Sequence, residues 1–384
     1  MTLELINGQA SEAANSDASA FFAGTVSPRR YRLAESLCDR AQDFLEEAFA
    51  GRKSRHEIAE AFSTSDFTLG IFAAIDTRLM AEYEELPSVW RQYTDVTSVN
   101  DFRPTRLLDR WTDRLGLKKV PELSEYTTGG GGGHATYWIN VAKYGLRDAF
   151  SWESSINNTV IDEIEEAPTK YARAARETEA MNALANLLAI DEETNLASGV
   201  NTDFFKTANG NAPTALPLTA ENLDTVLDEL GRRKPAQKGR LVVPPEFIVV
   251  IPKALERQMK RIQALREIRR VTGDTTEVMD NYLATVDYVV EPMLDVINQN
   301  AKASGTWFVL PKPGGRRPAS FAAFLRGYET PDMRYKADTG SRVGGGLVSP
   351  LEGSFDIDDI QTRVRHVLGH QNGDPLFTYV SLGS

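Results

Sequence analysis

The stretch that decides the fold is EYTTGGGGGHATY, residues 125–137, in which five glycines stand in a row. The run consists of Gly129, Gly130, Gly131, Gly132 and Gly133. Glycine loses more backbone entropy on ordering than any other residue, so such a run becomes ordered only when something outside it holds it. Because strand-favouring segments flank the run, the pattern predicts a long hairpin that turns at the glycines.

The predicted hairpin covers residues 105–150. It runs out through LLDRWTDRLGLKKVPELSEY and back through HATYWINVAKYGLRDAF, which are rich in residues that favour strands. Its many charges make a poor free-standing core, so the hairpin needs a partner surface. A phosphate-binding glycine loop requires a helix directly after the glycines, and a second strand follows here instead. A surface hairpin without a role remains the alternative.

A long helix is predicted from about residue 160 to residue 190. Acidic residues occupy its first turns, where they complement the helix dipole, and Ala and Leu dominate its later turns. Its length is on the order of 40 Å at 1.5 Å per residue. Pro168 either kinks this helix or marks the start of its main body.

The rest of the chain divides into an arm, helices, strands and a mixed region. Residues 1–28 read as an arm, residues 29–87 as mainly helical, and residues 88–104 as strand-like. A mixed α/β region spans about residues 218–348, in which Thr219 is predicted to cap a helix, and the final segment returns to strand patterns. A basic helix is predicted at about residues 252–271, carrying Lys253, Arg257, Lys260, Arg261, Arg266, Arg269 and Arg270. It faces either a polyanion, an acidic patch on a neighbour, or solvent.

The amino-acid composition of the chain argues against several classes of function. The 384 residues carry a net charge of -11, which argues against a surface that holds nucleic acid by neutralising phosphates. Cys38 is the single cysteine, so no disulfide forms within the chain. No apolar stretch is long enough to span a bilayer, and the N-terminus lacks the pattern of a secretion signal.

The candidates for chemistry are few. His366 and His370 flank HVLGH, with Asp356, Asp358 and Asp359 upstream. Helical spacing would place both imidazoles on one face for a metal, but TRVRHVL alternates with period two and Gly369 breaks the run. This pattern favours a strand and a turn, with polar residues on a sheet edge. Nucleophile-elbow, P-loop and dinucleotide motifs are missing from the sequence. We therefore expect no catalytic, cofactor or metal site.

The order of these parts resembles the major capsid proteins of tailed double-stranded DNA phages, with the Hong Kong 97 fold, most closely those of actinobacterial phages. The resemblance is carried by the strings VNDFRPTRLL, ATYWINVAKYGLRDAFSWESSINN, EEAPTKYARAARETEAMNALANLL, FLRGYETPDMRYKAD and GSFDIDDIQTRVRHVLG. It implies an α+β fold with four parts. These are an N-terminal arm with helices (1–87), a P-domain with a spine helix (88–104, 151–195 and 350–384), an E-loop (105–150) and an A-domain (196–349).

The resemblance also implies a structural function. Copies would form pentamers and hexamers of an icosahedral head that contains the genome, without sequence-specific DNA binding. The E-loop would contact a neighbouring copy through Lys118, Lys119, the five glycines, Tyr137 and Trp138. Implied partners are a portal and decoration proteins, in a virion assembled in the host cytoplasm, with no membrane contact.

Two departures from the type member of that family carry expectations. Nothing at the N-terminus resembles its long, cleaved scaffolding region, so we expect a separate scaffolding protein. Lys118, Lys119 and Lys143 lie in the hairpin and Asn372 is a candidate acceptor, but no crosslinking motif matches, so non-covalent stabilisation is expected. The competing hypotheses are an encapsulin-like compartment shell and a soluble metal-dependent enzyme that uses His366, His370 and the nearby aspartates.

Overall fold

Two mixed β-sheets meet at the C-terminal end of a long helix. The computed structural model describes residues 35–50, 52–53, 57, 65–110, 119–126, 134–151, 159–191, 193–234, 243–272, 275–315, 317–336, 343–344 and 359–383. The helices in these ranges are α1 (Glu35–Phe49), α2 (Ser65–Glu85), α3 (Thr159–Leu184), α4 (Ala220–Arg232), α5 (Glu256–Ala264) and α6 (Met293–Val296). Short 3₁₀ turns lie at Val89–Gln92, Thr207–Asn209, Lys253–Leu255, Tyr282–Thr285 and Ala303–Gly305.

The strands alternate with these helices along the chain. The early ones are β1 (Asp95–Val99), β2 (Thr105–Arg110), β3 (His134–Ile139), β4 (Ala142–Ser151), β5 (Leu188–Ile190) and β6 (Ala197–Val200). The middle ones are β7 (Phe247–Ile251), β8 (Glu267–Thr272), β9 (Thr275–Asp280) and β10 (Asp287–Val290). The last ones are β11 (Trp307–Pro311), β12 (Ser320–Leu325), β13 (Asp332–Lys336), β14 (Asp359–Asn372) and β15 (Tyr379–Ser381).

The first sheet is organised around the long strand β14. Its order is β1-β12-β14-β13, and β4 also pairs with β14. All pairings of β14 are antiparallel, whereas β1 runs parallel to β12. The β4 pairing extends from Asp359 opposite Ser151 to Leu368 opposite Ala142.

The second sheet has the order β10-β7-β11-β15 and forms the best-covered part of the molecule. One face of β7 and β11 packs into a core with Trp90, Leu184 and Phe324, which joins the two sheets. The other face packs against α4 and α5, whose apolar side chains lie at helical spacing. The predicted cap of α4 is confirmed, because the Thr219 hydroxyl accepts a hydrogen bond from the backbone N–H of Asn222 (3.2 Å).

The long helix is confirmed, but its predicted end at residue 190 is wrong. Helix α3 ends at Leu184, and Leu188–Ile190 forms strand β5 instead. The buried Asn186 donates to the Ser320 hydroxyl (2.7 Å) and to the Phe321 carbonyl (3.2 Å), which fixes the turn between helix and strand. Pro168 lies inside the helix, so it does not mark the helix start.

The predicted return strand of the hairpin is two strands. Only His134–Ile139 pairs with the outgoing strand β2, in the register Thr105 to Ile139, whereas β4 pairs with β14. The division falls at Asn140, where the chain crosses Gly369: a Cβ at Gly369 would lie 1.8 Å from the Asn140 carbonyl oxygen. Gly369 therefore permits this crossing, and it does not end the strand as the sequence pattern indicates.

The predicted basic helix at residues 252–271 is also shorter than expected. Helix α5 ends at Ala264, and the chain then forms the hairpin β8–β9. Ile268, Val271 and Thr272 of EIRRVT are β-branched and favour this strand. Arg266, Arg269 and Arg270 therefore lie beyond the helix.

Two further pairings bear on the predicted parts of the molecule. Strands β12 and β13 fall within the range predicted for the A-domain, yet they pair with β1 and β14. The last strand, β15, pairs with β11 of the second sheet rather than with the first. The domain limits themselves stay a prediction. In the parts of the chain that the structure describes, no helix combines the length and apolar character needed to span a membrane.

Candidate assembly surface

The hairpin β2–β3 presents one covered face and one open face. Ile139 is fully buried in a core with Val99 and Val367, and the Tyr137 ring lies 6.2 Å from the Phe321 ring. Side chains alternate along a strand, so Trp138 points away from that core and is 55% exposed. The open face is therefore aromatic and faces solvent.

Arg106 lies directly opposite Trp138 in the register of the hairpin. It is exposed, and its guanidinium donates to the Thr136 hydroxyl (3.2 Å). Trp and Arg are the residues most enriched at the energetic centres of protein interfaces, since both combine a flat apolar surface with a polar group. This pair gives the open face the character of a protein-binding surface.

The predicted contact residues are placed unevenly by the structure. Tyr137 and Trp138 are neighbours on opposite faces of β3, and Lys119 is exposed in the segment 119–126. That segment also carries Leu123 and Tyr126, whose side chains are exposed almost completely. Lys118 and the five glycines, Gly129 to Gly133, lie outside the described residues. The contact role of all these residues stays a prediction.

Strand β4 adds a second open element beside the hairpin. Among the described residues its only pairing partner is β14, so one edge of this ten-residue strand is not hydrogen-bonded to another strand. Leu146 on β4 is 42% exposed, whereas Lys143 and Arg147 place charges on it. Charged residues on an edge strand discourage indiscriminate pairing and leave selective contacts available.

A buried polar cluster lies behind these open elements and joins α2, α3 and β14. Its centre is Glu179 of α3, which is 2% exposed. The carboxylate accepts four hydrogen bonds, from the Tyr83 hydroxyl, Trp90 Nε1 (3.3 Å), Arg176 Nη1 (3.0 Å) and His366 Nε2 (2.9 Å). Buried charges are tolerated when they are paired and hydrogen-bonded in this way.

The electrostatics of the cluster follow from these bonds. Burial alone raises the pKa of Glu179, but the hydrogen bond and charge of His366, the Tyr83 hydroxyl and the Arg176 charge outweigh it, so the pKa lies below its ordinary value. Burial, followed by the nearby Glu179 charge, raises the pKa of Tyr83 far above its ordinary value. The carboxylate is thus held ionised and the phenol is held as a donor.

Sequence reasoning missed Glu179, although a signal was present. Tyr171, Ala175 and Ala183 are buried on the same helix at spacings of four and eight residues, and Glu179 falls between them. A carboxylate on an apolar helical stripe has to find partners across the interface, and here it finds them on three elements.

The two histidines of the metal hypothesis have separate partners. Both lie on strand β14, although the sequence pattern predicts a turn for His370, and four residues of a strand separate them by roughly 13 Å. The predicted sheet edge is wrong for His366, which is 3% exposed because β14 has partner strands on both sides. His366 bonds to Glu179, whereas His370 Nδ1 lies 3.1 Å from the side-chain oxygen of Asn182. Across the described ranges, no group of three His, Cys, Asp or Glu side chains is arranged to hold a metal. Asp356 and Asp358 lie outside those ranges.

The basic residues predicted to face a polyanion or a neighbour are partly paired within the chain. Glu256 on α5 contacts both Lys253 (2.5 Å) and Lys260 (2.7 Å). These hydrogen bonds, first from Lys253 and then from Lys260, lower the pKa of Glu256 to about 2. Their role toward a polyanion or a neighbouring copy stays a prediction.

Among the described residues, the main features are strands with an open face or edge and one buried polar cluster. The profile of the family described as "Phage capsid protein" matches residues 135–381, more than half of the chain. The chain belongs to this phage capsid protein family. The recognition of a phage major capsid protein and the α+β, Hong Kong 97-type fold class are thereby confirmed, and the chain is a capsid shell protein of the virion.

The solved structures that match this chain are distant from it in sequence. A chain of Gordonia phage Cozz is 12% identical, with 77% of this chain and 86% of that chain covered and a TM-score of 0.45. A chain of Mycobacterium phage Adephagia is 10% identical, with 78% and 91% covered and a TM-score of 0.44. A virus-like particle from Pyrococcus furiosus is 9% identical, with 80% and 97% covered and a TM-score of 0.38. No curated protein matches the sequence.

Proposed function

We propose that this capsid protein assembles into pentamers and hexamers, and that these form an icosahedral head around double-stranded DNA. The hairpin β2–β3 lies over a neighbouring copy and contacts it through Trp138, Tyr137, Lys118, Lys119 and the glycine run, Gly129 to Gly133. A separate scaffolding protein, a portal and decoration proteins are its further partners. Assembly takes place in the host cytoplasm.

The observation that carries the proposal is the open face of the hairpin. Trp138 is 55% exposed beside Arg106, while the opposite face of the same two strands is packed into the core. A neighbouring copy would cover this face and add the apolar contact that one chain lacks. Heterologous contacts of this kind close into rings when the rotation between copies permits it.

The charge of the chain supports containment of DNA without tight binding. A net charge of -11 gives no general attraction to phosphate, and close DNA contact would cost electrostatic free energy at low salt. Such a wall holds the genome by enclosing it.

The test is assembly of the full-length chain with Trp138→Ala. Sedimentation velocity and negative-stain microscopy, with and without a scaffolding protein, would show rings or shells for the wild type. The loss of one central aromatic contact costs about 2 kcal/mol, so the concentration needed for assembly should rise roughly 30-fold. Val296→Ala, which also alters an exposed apolar residue, is the matched control and should assemble normally.

Two outcomes would contradict the proposal. Normal assembly of Trp138→Ala would remove the hairpin face from the contact, and a wild-type chain that stays monomeric at high concentration would remove the shell itself. The content of native particles decides between the two kinds of shell. DNA supports the phage head, whereas protein cargo without DNA supports the encapsulin-like alternative.

A further inference from the structure

We propose that the cluster around Glu179 is a proton-operated clasp, which holds the end of helix α2 against α3 and β14 and opens when Glu179 takes up a proton. The clasp is a property of the single chain. It does not depend on the proposed shell contacts.

Tyr83 attaches helix α2 to helix α3 through hydrogen bonds with two residues of α3, Glu179 and Arg176. The Tyr83 hydroxyl donates to Glu179, and the Tyr83 carbonyl accepts from Arg176 through Nε (3.0 Å) and Nη2 (2.7 Å). The Arg176 guanidinium also lies over the Tyr83 ring, 3.7 Å from its centroid. Arg176 is in turn held by Glu179, so the polar part of the attachment is centred on one carboxylate, beside the apolar core that Leu79 and Tyr83 share with α3.

The charge of Glu179 is what the attachment requires. An ionised carboxylate only accepts hydrogen bonds, and four donors point at this one. A protonated carboxyl carries an O–H group, so one of its two oxygens becomes a donor and no longer accepts these hydrogen bonds as before. Protonation also leaves the Arg176 charge without its counter-ion in a poorly hydrated site.

His366 does not compensate for a protonated Glu179. The groups that face it are Glu179 from α3, Tyr83 from α2 at 6.2 Å between rings, and Phe324 from β12 at 5.8 Å. Arg176 of α3 contacts the same Glu179 carboxylate. From the remaining elements, the Arg91 charge lies over the Phe324 ring and Tyr144 of β4 lies opposite His366 in register.

The second ring nitrogen of His366, Nδ1, does not take part in the cluster, so the histidine donates only through Nε2. Nδ1 is buried and has no hydrogen-bond partner within the described ranges. A neutral ring that donates through Nε2 leaves Nδ1 as an unpaired acceptor, whereas a charged ring places an unpaired N–H there. In either state Nε2 faces the Glu179 carboxylate, which is the acceptor at the centre of the clasp.

The direction of the pH effect follows from Glu179. Its folded-state pKa lies below the ordinary value of 4.5 because the donors outweigh burial. A carboxyl whose pKa is lowered by folding stabilises the folded state above pH 4.5 and loses that contribution as the pH falls through the lowered pKa. The clasp is closed at neutral pH and opens in acid.

The experiment is hydrogen exchange of the full-length chain between pH 7 and pH 3.5, with exchange times corrected for the intrinsic pH dependence. In the wild type, opening of the peptide that contains Tyr83 should rise several-fold between pH 4.5 and pH 3.5. One carboxyl with an ordinary pKa of 4.5 in the open state can change the opening equilibrium by at most about tenfold over this pH unit. Glu179→Gln should show this opening already at pH 7, with little further change in acid. Glu177→Gln, an exposed neighbour on α3, is the matched control and should behave as the wild type.

The proposal is overturned if the wild-type Tyr83 peptide stays equally protected down to pH 3.5, or if Glu179→Gln keeps the wild-type pH dependence. If Glu179→Gln does not fold, Tyr83→Phe decides the question, since it removes only one hydroxyl. If opening of this peptide in Tyr83→Phe rises several-fold at pH 7, the result supports the clasp. If the variant is protected as well as the wild type, the result contradicts it. Either result leaves assembly through Trp138 as a separate question.

Discussion

The strand pair β7–β11 and the hairpin β2–β3 are both antiparallel pairs, but only the first is covered on both faces by its own chain. Residues Trp307–Pro311 of β11 are all buried, with alternate side chains in the two cores on either side. In the hairpin, Ile139 is fully buried while its neighbour Trp138 is 55% exposed. The difference separates a part of the molecule that is covered within one copy from a part that, on the proposed function, a neighbouring copy covers.

The largest expected effect comes from removing a buried tryptophan. Trp307 is fully buried against Tyr379, and its Nε1 donates to the Leu216 carbonyl (3.0 Å). Trp307→Ala should lower the free energy of unfolding by about 3–5 kcal/mol. The matched change Trp138→Ala should alter it by less than about 0.5 kcal/mol. Urea denaturation of both variants measures the comparison, and equal losses would contradict it.

A second prediction concerns the crossing at which the hairpin meets the first sheet. In Gly369→Ala the new methyl group would overlap the Asn140 carbonyl oxygen, at 1.8 Å. Because backbone has to move, we expect a loss of about 3 kcal/mol, the upper end of the range for overpacking. Thermal unfolding of the variant measures it. The control is Gly344→Ala, since a Cβ there meets nothing within 4 Å; a similar loss in both would sink the steric explanation.

A third prediction concerns Glu291, a buried carboxyl beside the second sheet. Burial raises its pKa, and hydrogen bonds from the Met293 N–H and the Tyr93 hydroxyl offset this only partly. A carboxyl with a raised folded-state pKa favours the folded state below pH 4.5, and that contribution is lost as the pH rises through the raised pKa. Glu291→Gln should therefore increase stability at pH 7 by the order of 1 kcal/mol.

Urea titrations of Glu291→Gln at pH 4 and pH 7 measure this effect. The gain should be present at pH 7 and small at pH 4, because the wild-type carboxyl is then largely protonated. A variant that is destabilised at both pH values would contradict the prediction. The opposite sign expected for Glu179→Gln makes the two glutamates controls for each other.

The smallest expected effect is at Gly231, in the last turn of α4. A Cβ at this position meets nothing within 4 Å, and alanine has a higher helix propensity than glycine. Gly231→Ala should increase the free energy of unfolding by about 0.5–1 kcal/mol, which raises the melting temperature slightly. It should leave assembly unchanged, which circular dichroism and sedimentation of the same sample can check. A lower melting temperature would contradict the expectation.

Local pattern was enough to predict the elements whose signals are contained in consecutive residues. The apolar spacing of α2 and α3, the Thr219 cap and the period-two alternation around His366 all appear in the structure. The capsid family was recognisable as well, because the order of hairpin, long helix and mixed region can be read directly from the sequence.

Local pattern failed where a partner distant in sequence decided the outcome. Helix α3 stops at Leu184 because Asn186 bonds to Ser320, and the residues after Ala264 form a strand because β9 pairs with them. Glu179 is the clearest case in the candidate site. Its donors Tyr83 and His366 lie 96 and 187 residues away in the chain.

The sequence by itself determined the helical and strand segments, the acidic balance and the class of protein, since these depend on periodicity, composition and order. Tertiary structure alone decided which strands pair, that Trp138 faces outward while Tyr137 faces the core, and that Glu179 is ionised in a buried site. The physical reason is that strand register, burial and electrostatic environment depend on residues that are far apart in the sequence and close together in the fold. A local sequence pattern does not say which distant residues come together.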